Sequence, residues 1–308
     1  MNASVFILSY PSVSSLAAGA SGLRQALGQW LALCDHIARA GGTILLLDPP
    51  DEAPRSASSA TELLATSRLG SVFVGARTDG SVDALFLRAR RDSEGPDAAT
   101  ESISAQLRRF GLRVRDAVQR WGGQAELVGL PRNRFIVSYG ARSDEESADE
   151  VATCLPLGAH SLRVKVAGDS GLSACTYLQS VGGSSVLLID QRVMPGVTLA
   201  QVAAFAGDKV QVIGVGAEDA AAGATQMLCV HGTVLVPPGI STTLRGHLWR
   251  TGFQVVEVDL SALGGPAVGT GPRAFVVAWP QCVLDDTLPT YATRRGELYR
   301  RLEALPAA

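Results

Sequence analysis

Few residues in this chain could act as nucleophiles or bases. Five cysteines stand singly at positions 34, 154, 175, 229 and 282, and four histidines at 36, 160, 231 and 247. An odd number of cysteines with no close pair makes neither a disulfide framework nor a CxxC metal site, so no metal or other cofactor is expected. The default role of such thiols is that of small buried hydrophobes. One spacing differs. In 'CVH', Cys229 and His231 are two residues apart, and on a strand that puts both side chains on one face, where a thiol could meet a base. The plainer alternative is a buried cysteine beside a histidine at a strand end. Cys175, in 'LSACTYL', is a second thiol in a turn-and-strand segment. His36 and His160 have no evident partner, and His247 falls on an exposed-looking helical turn.

The bulk properties bound the partners. The 308 residues are 46% hydrophobic and 18% charged, with a formal net charge of -2. That composition suits an ordinary globular core. No long basic run is present, so neither nucleic acid nor an acidic membrane is an expected partner. No stretch reaches the roughly 18 consecutive apolar residues that a membrane span needs. The start of the chain lacks the positive region of a signal peptide and reads as a strand and a turn, which predicts a cytoplasmic protein. A small molecule is the expected partner, and a homodimer is left open.

Short apolar runs bounded by Gly, Pro, Asn or Asp recur along the chain: 'GSVFVGA' from Gly70, 'NRFIVSYGA' from Asn133, 'SSVLLIDQ' from Ser184, 'GTVLVPPG' from Gly232 and 'PRAFVVAW' from Pro272. With 'SVFILSY', 'GTILLLD', 'AELVGL', 'SLRVKVAG', 'KVQVIGVG' and 'FQVVEVDL' they have the pattern of strands. Helical patterns lie between them. In 'GLRQALGQWLALCDHIARAGG', Leu23, Leu27, Trp30, Cys34 and Ile37 recur at helical spacing and stop at Gly41 and Gly42. 'DAATESISAQLRRFG', 'SDEESADEVATCLPLG' and 'GISTTLRGHLWRTG' read likewise, and 'GVGAEDAAAGA' reads as a flexible turn. About five repeats of such a unit predict an α/β pseudo-fivefold propeller of ββαβ type, a single closed domain over residues 1–308 around a central channel. A doubly wound sheet would carry a Gly-rich phosphate loop, and none is found.

Several stretches carry a resemblance: 'SVFV' at Ser71, 'GGQAELVG' at Gly122, 'FIVSYGARSDEESA' at Phe135, 'LSACTYL' at Leu172 and 'GTVLVPPGISTTLRGHLWRTGFQVVEVDLSAL' at Gly232. Together they resemble the guanidino-group modifying (pentein) superfamily. Dimethylarginine dimethylaminohydrolases are the most similar members, with arginine deiminases and amidinotransferases more distant. The resemblance implies a cysteine that attacks a guanidinium carbon, a histidine that shuttles protons and carboxylates that hold the planar cation.

At each of those positions this chain departs from the pattern. The acidic pair after 'SVFV' is replaced by Gly75 and Ala76, and the preceding Pro-Asp reads Leu69-Gly70. The acidic residue that orients the histidine reads Gln124, with Glu126 two residues on. The histidine position falls on Ser170 or Gly171, and the nucleophile position on Pro272 or Arg273. Arg142 matches the arginine that holds a substrate carboxylate, and Arg88, with Arg90 and Arg91, lies where a second is expected. The expected ligand contacts are therefore Arg142, Arg88, Gln124, Ser170 and Arg273. The catalytic candidates are Cys175, Cys229 and His231. Three readings follow. The chain binds or transforms an amino-acid-like carboxylate ligand after losing Cys/His guanidine hydrolysis, it is a non-catalytic regulatory relative, or it hydrolyses guanidines with a relocated thiol such as Cys175 or Cys282.

Overall fold

The computed structural model describes residues 5–10, 20–48, 73–76, 82–86, 98–121, 126–140, 143–155, 158–167, 173–263, 271–279 and 288–305. Among the described residues fifteen strands form five three-stranded sheets, all built alike. β1 (Val5–Ser9), helix α1 (Ala20–Arg39) and β2 (Thr43–Leu47) begin the chain. β3 (Phe73–Ala76), β4 (Val82–Phe86), α2 (Ala98–Arg109) and β5 (Arg113–Asp116) follow. The third unit is β6 (Leu127–Leu130), β7 (Arg134–Gly140), α3 (Ser147–Ala152) and β8 (His160–Val166). The fourth is β9 (Cys175–Gln179), β10 (Ser185–Ile189), α4 (Leu199–Ala206) and β11 (Val210–Gly214). A short α5 (Ala217–Ala221) leads to the fifth: β12 (Leu228–Val230), β13 (Thr233–Val236), α6 (Thr242–Arg250) and β14 (Gln254–Glu257). The chain then runs through β15 (Val277–Trp279) to α7 (Tyr291–Glu303).

In every sheet the middle strand pairs antiparallel with the first and parallel with the third, which lies across a helix. A parallel pair needs such a crossover, whereas the antiparallel pair needs only a tight turn. Two of those turns use left-handed backbone at two successive residues, Arg132-Asn133 before β7 and His231-Gly232 before β13. That is the twist a short hairpin demands. The first sheet is completed by the last strand, since β15 pairs with β1. The first and last described strands therefore share one sheet, and one apolar cluster joins α1, β1, β2, β12, β13 and α7.

The helical reading of α1 holds in detail. Leu23, Leu27, Trp30, Cys34 and Ile37 are all buried, and Trp30 is 1% exposed. Three expectations are corrected. 'PRAFVVAW' was expected to be one or two turn residues and then a strand, but the turn is longer: residues Pro272–Phe275 form a 3-10 turn and the strand starts at Val277. Proline has no N–H for a ladder and its fixed φ suits the first helical position. 'GVGAEDAAAGA' contains α5 instead of a loose turn, in keeping with its alanines. 'SDEESADEVATCLPLG' becomes helical only from Ser147. Asp144, ahead of it, exchanges backbone and side-chain bonds with Arg120.

Asp35 fastens α7 to α1. Its carboxylate accepts hydrogen bonds from the Tyr291 and Tyr299 hydroxyls, each at 2.8 Å, and from Nε and Nη2 of Arg295 at 2.8 and 3.0 Å. Those donors, Arg295 foremost, hold the carboxyl well below the usual carboxylate range, against the opposing effect of burial. A carboxyl depressed in the fold stabilises it above its unfolded pKa of about 4, and the contribution is lost as pH falls below that value. Asp35→Asn is therefore expected to lower the thermal midpoint at pH 7 and to flatten its decline between about pH 5 and 2. Parallel pH profiles of unfolding for the two proteins would refute the assignment.

Candidate functional site

The leading ends of three first strands converge on one turn. β9 lies beside both β6 and β12, and the 3-10 turns Ala224–Gln226 and Pro272–Phe275 touch. Thr176 Oγ1, next to Cys175 at the head of β9, donates to the carbonyl of Met227 just before β12, at 3.4 Å. Arg273 bridges the rest. Its Nη1 donates to the Cys175 carbonyl at 2.9 Å and to Ser173 Oγ at 3.4 Å, and its Nη2 to the Leu127 carbonyl at 3.1 Å. One guanidinium thus holds the starts of β6 and β9 to the turn that enters β15.

The turn reaches that position because Gly271 has no side chain. A Cβ on it would stand 2.1 Å from Gln226 Cβ and 2.7 Å from the Gln226 carbonyl oxygen. Gly271 has an ordinary negative φ, so the requirement is for space and not for an unusual backbone. Arg273 is partly accessible as a residue, while its guanidinium is surrounded by protein. Burial pushes its pKa down, and the neighbouring Cys175 partly offsets this. An arginine so placed remains charged. Next to Leu127, the buried Glu126 accepts a hydrogen bond from the buried Ser143 hydroxyl.

The thiols are poorly placed for attack. Cys175 is buried, and loss of hydration pushes its pKa up to about 11, with Arg273 pulling the other way. A thiol of that kind carries little thiolate at neutral pH. Cys34, in the core face of α1, is pushed up by burial and by Asp35. Cys229 is half-buried and its thiol donates to the Gln179 carbonyl at 3.3 Å, with burial again raising its pKa. His231 is not a strand-mate of Cys229, because β12 ends at Val230 and His231 turns out with a φ of 45°. It is exposed and its ring lies against Gly41. His247 pairs with Gln211 on the sheet.

Among the sequence-based candidates, the structure brings Cys175 and Arg273 together and separates them from Cys229 and His231. Gly75 and Ala76 lie in β3, paired with Asp83 and Val82. Arg142, Arg88, Gln124 and Ser170 lie outside the described residues, as does Cys282. Sequence reasoning missed Ser173, Ser143, Thr225 and Gln226. The glycine before Pro272 was the one visible sign of a close approach. Among the described residues no group of acidic, His and Cys side chains could hold a metal ion, and no helix is long and apolar enough to cross a membrane.

No family model matches the sequence, and no curated protein does. Solved structures do match, and they define a fold class, that of the arginine-modifying pentein enzymes. The N-terminal domain of ArgZ, an arginine dihydrolase from the ornithine-ammonia cycle in cyanobacteria, superposes with a TM-score of 0.68 at 15% identity, over 89% of this chain and 97% of that one. AgrE in ternary complex with ornithine and NAD+ gives 0.67 at 17% identity, over 92% of this chain and 40% of that longer one. A dimethylarginine dimethylaminohydrolase adduct with 4-chloro-2-hydroxymethylpyridine gives 0.61 at 18%, over 91% and 100%. The chain therefore has the mixed α/β fold of these enzymes, and the resemblance read from its motifs stands at the level of fold.

The thiol geometry has a direct consequence. Alkylation of the native protein at pH 8 is expected to leave Cys34 and Cys175 unmodified over the time that an unfolded control reacts fully, as read by peptide mass spectrometry. Fast labelling of Cys175 would mean that an activated thiol is present at the centre.

Proposed function

We propose that this protein is a divergent relative of the dimethylarginine dimethylaminohydrolases that has lost Cys/His guanidine hydrolysis and binds or transforms an amino-acid-like carboxylate ligand. In this reading the five sheets close around a central pocket, as one domain. The observation that carries it is the occupant of the centre. The nucleophile position implied by the resemblance falls on the turn that holds Arg273, and that arginine cross-ties β6 and β9 there. A guanidinium neither attacks a carbon nor moves a proton at neutral pH. Cys175, the thiol beside it, is buried and protonated, and His231 does not share the strand face of Cys229. ArgZ, AgrE and dimethylarginine dimethylaminohydrolase share the fold, and the AgrE complex contains ornithine, an amino acid. Their shared scaffold supports an amino-acid ligand here, with Arg142 as the fork for its carboxylate and Arg88, Gln124 and Ser170 as further contacts.

Two measurements test this together. Incubation with arginine and its methylated forms is expected to release no amine and no ureido product. α-Amino acids should bind, and Arg142→Ala should weaken them roughly 10- to 100-fold, the scale of a lost charge-assisted hydrogen bond. Turnover abolished by serine at one cysteine position would overturn the proposal in favour of a relocated thiol. Binding indifferent to Arg142→Ala would remove the carboxylate assignment.

A further inference from the structure

The contacts of Arg273 define more than a cross-tie. Leu127 and Cys175 offer their carbonyls from strands whose place is set elsewhere, since Leu127 pairs with Val137 in one sheet and Cys175 with Ile189 in another. Those ladders hold the two oxygens whether or not the arginine is there. Ser173 joins them. Its hydroxyl donates its one proton to the Cys175 carbonyl at 2.7 Å, so toward Arg273 Nη1, at 3.4 Å, it can only accept. The described contacts are therefore all acceptors, shared between both terminal nitrogens of one planar cation. A guanidinium carries donors alone, and its two Nη groups stand apart in a fixed plane. An alkylammonium brings its donors on a single nitrogen and could not serve both sheets from it.

The occupant is delivered by an anchored turn. Pro272 and Phe275, on either side of Arg273, are buried, and Phe275 belongs to the apolar cluster that joins α1 and α7. Gly271, just before them, lies against Gln226. A side chain tethered in this way competes at high effective concentration with any free ligand. We propose that Leu127, Cys175 and Ser173 form a guanidinium-binding site, that Arg273 fills it from within the chain, and that the centre thereby excludes guanidinium-bearing ligands from solution. The device is an autoinhibitory contact, and a free monoalkyl guanidinium enters only where the Arg273 side chain is withdrawn or removed. It follows from the contacts alone, without the amino-acid reading, and its failure leaves that reading as it stands.

Removing the side chain beyond Cβ leaves the space of ethylguanidinium, so Arg273→Ala and that cation make the test, with n-butylammonium as a control of equal charge and length. Without ligand, Arg273→Ala should melt about 5 °C or more below the wild type, because buried carbonyls lose their donor. Ethylguanidinium at about ten times its Kd should raise that midpoint by at least about 2 °C, while butylammonium leaves it in place and the wild type responds to neither. Where Arg273→Ala does not fold alone, refolding with ethylguanidinium should recover it and refolding with butylammonium should not. An equal response to the two cations, a response to neither, or saturable ethylguanidinium binding by the wild type as tight as by Arg273→Ala would overturn the inference.

Discussion

A guanidinium carried into a protein interior must be met by acceptors, because loss of water from an uncompensated cation costs several kcal/mol or more. Arg273 meets that constraint with the ends of the strands themselves, accepting partners at Leu127 and Cys175 that belong to different sheets. The carbonyls at the head of a strand are the ones that its ladder leaves free, so a central arginine and converging strand ends answer each other's needs. Gly271 is the second half of the arrangement. Its missing side chain lets the turn press against Gln226, and from there Arg273 reaches both strands.

The same constraint sets the chemistry of what surrounds it. A buried cysteine beside a cation could be made reactive, since the charge favours thiolate. Here the loss of hydration outweighs it, and the Cys175 thiol is pushed up. The nearby polar groups are hydroxyls, carbonyls and an amide, with the carboxylate of Glu126 bonded to Ser143.

Much of the scaffold was legible from residue pattern. The spacing of Leu23, Leu27, Trp30, Cys34 and Ile37 identified both α1 and its buried face, because a helix buries every third or fourth residue. The hairpin at His231-Gly232 is a local matter of turn chemistry, and the glycine that opens 'GTVLVPPG' was its visible sign. β5, 'RVRD', escaped notice because three of its four residues are exposed and no apolar run marks it. The centre was harder. That Arg273 lies near Cys175 was foreshadowed only through the resemblance, and the approach of Gln226 to Gly271 joins residues 45 apart with no local sign. The 'CVH' pairing failed for a physical reason. Face-sharing two residues apart holds within a strand, and the left-handed turn at His231 breaks it.

The central role of Arg273 can be measured directly on its own nitrogens. In a 15N-resolved spectrum of the arginine side chains, the Nη protons of Arg273 should appear as separate, slowly exchanging signals, because bonds to three acceptors stop rotation of the guanidinium. They should vanish in Arg273→Lys. Arginine spectra in which every Nη proton is averaged and exchanges freely with water would contradict the account.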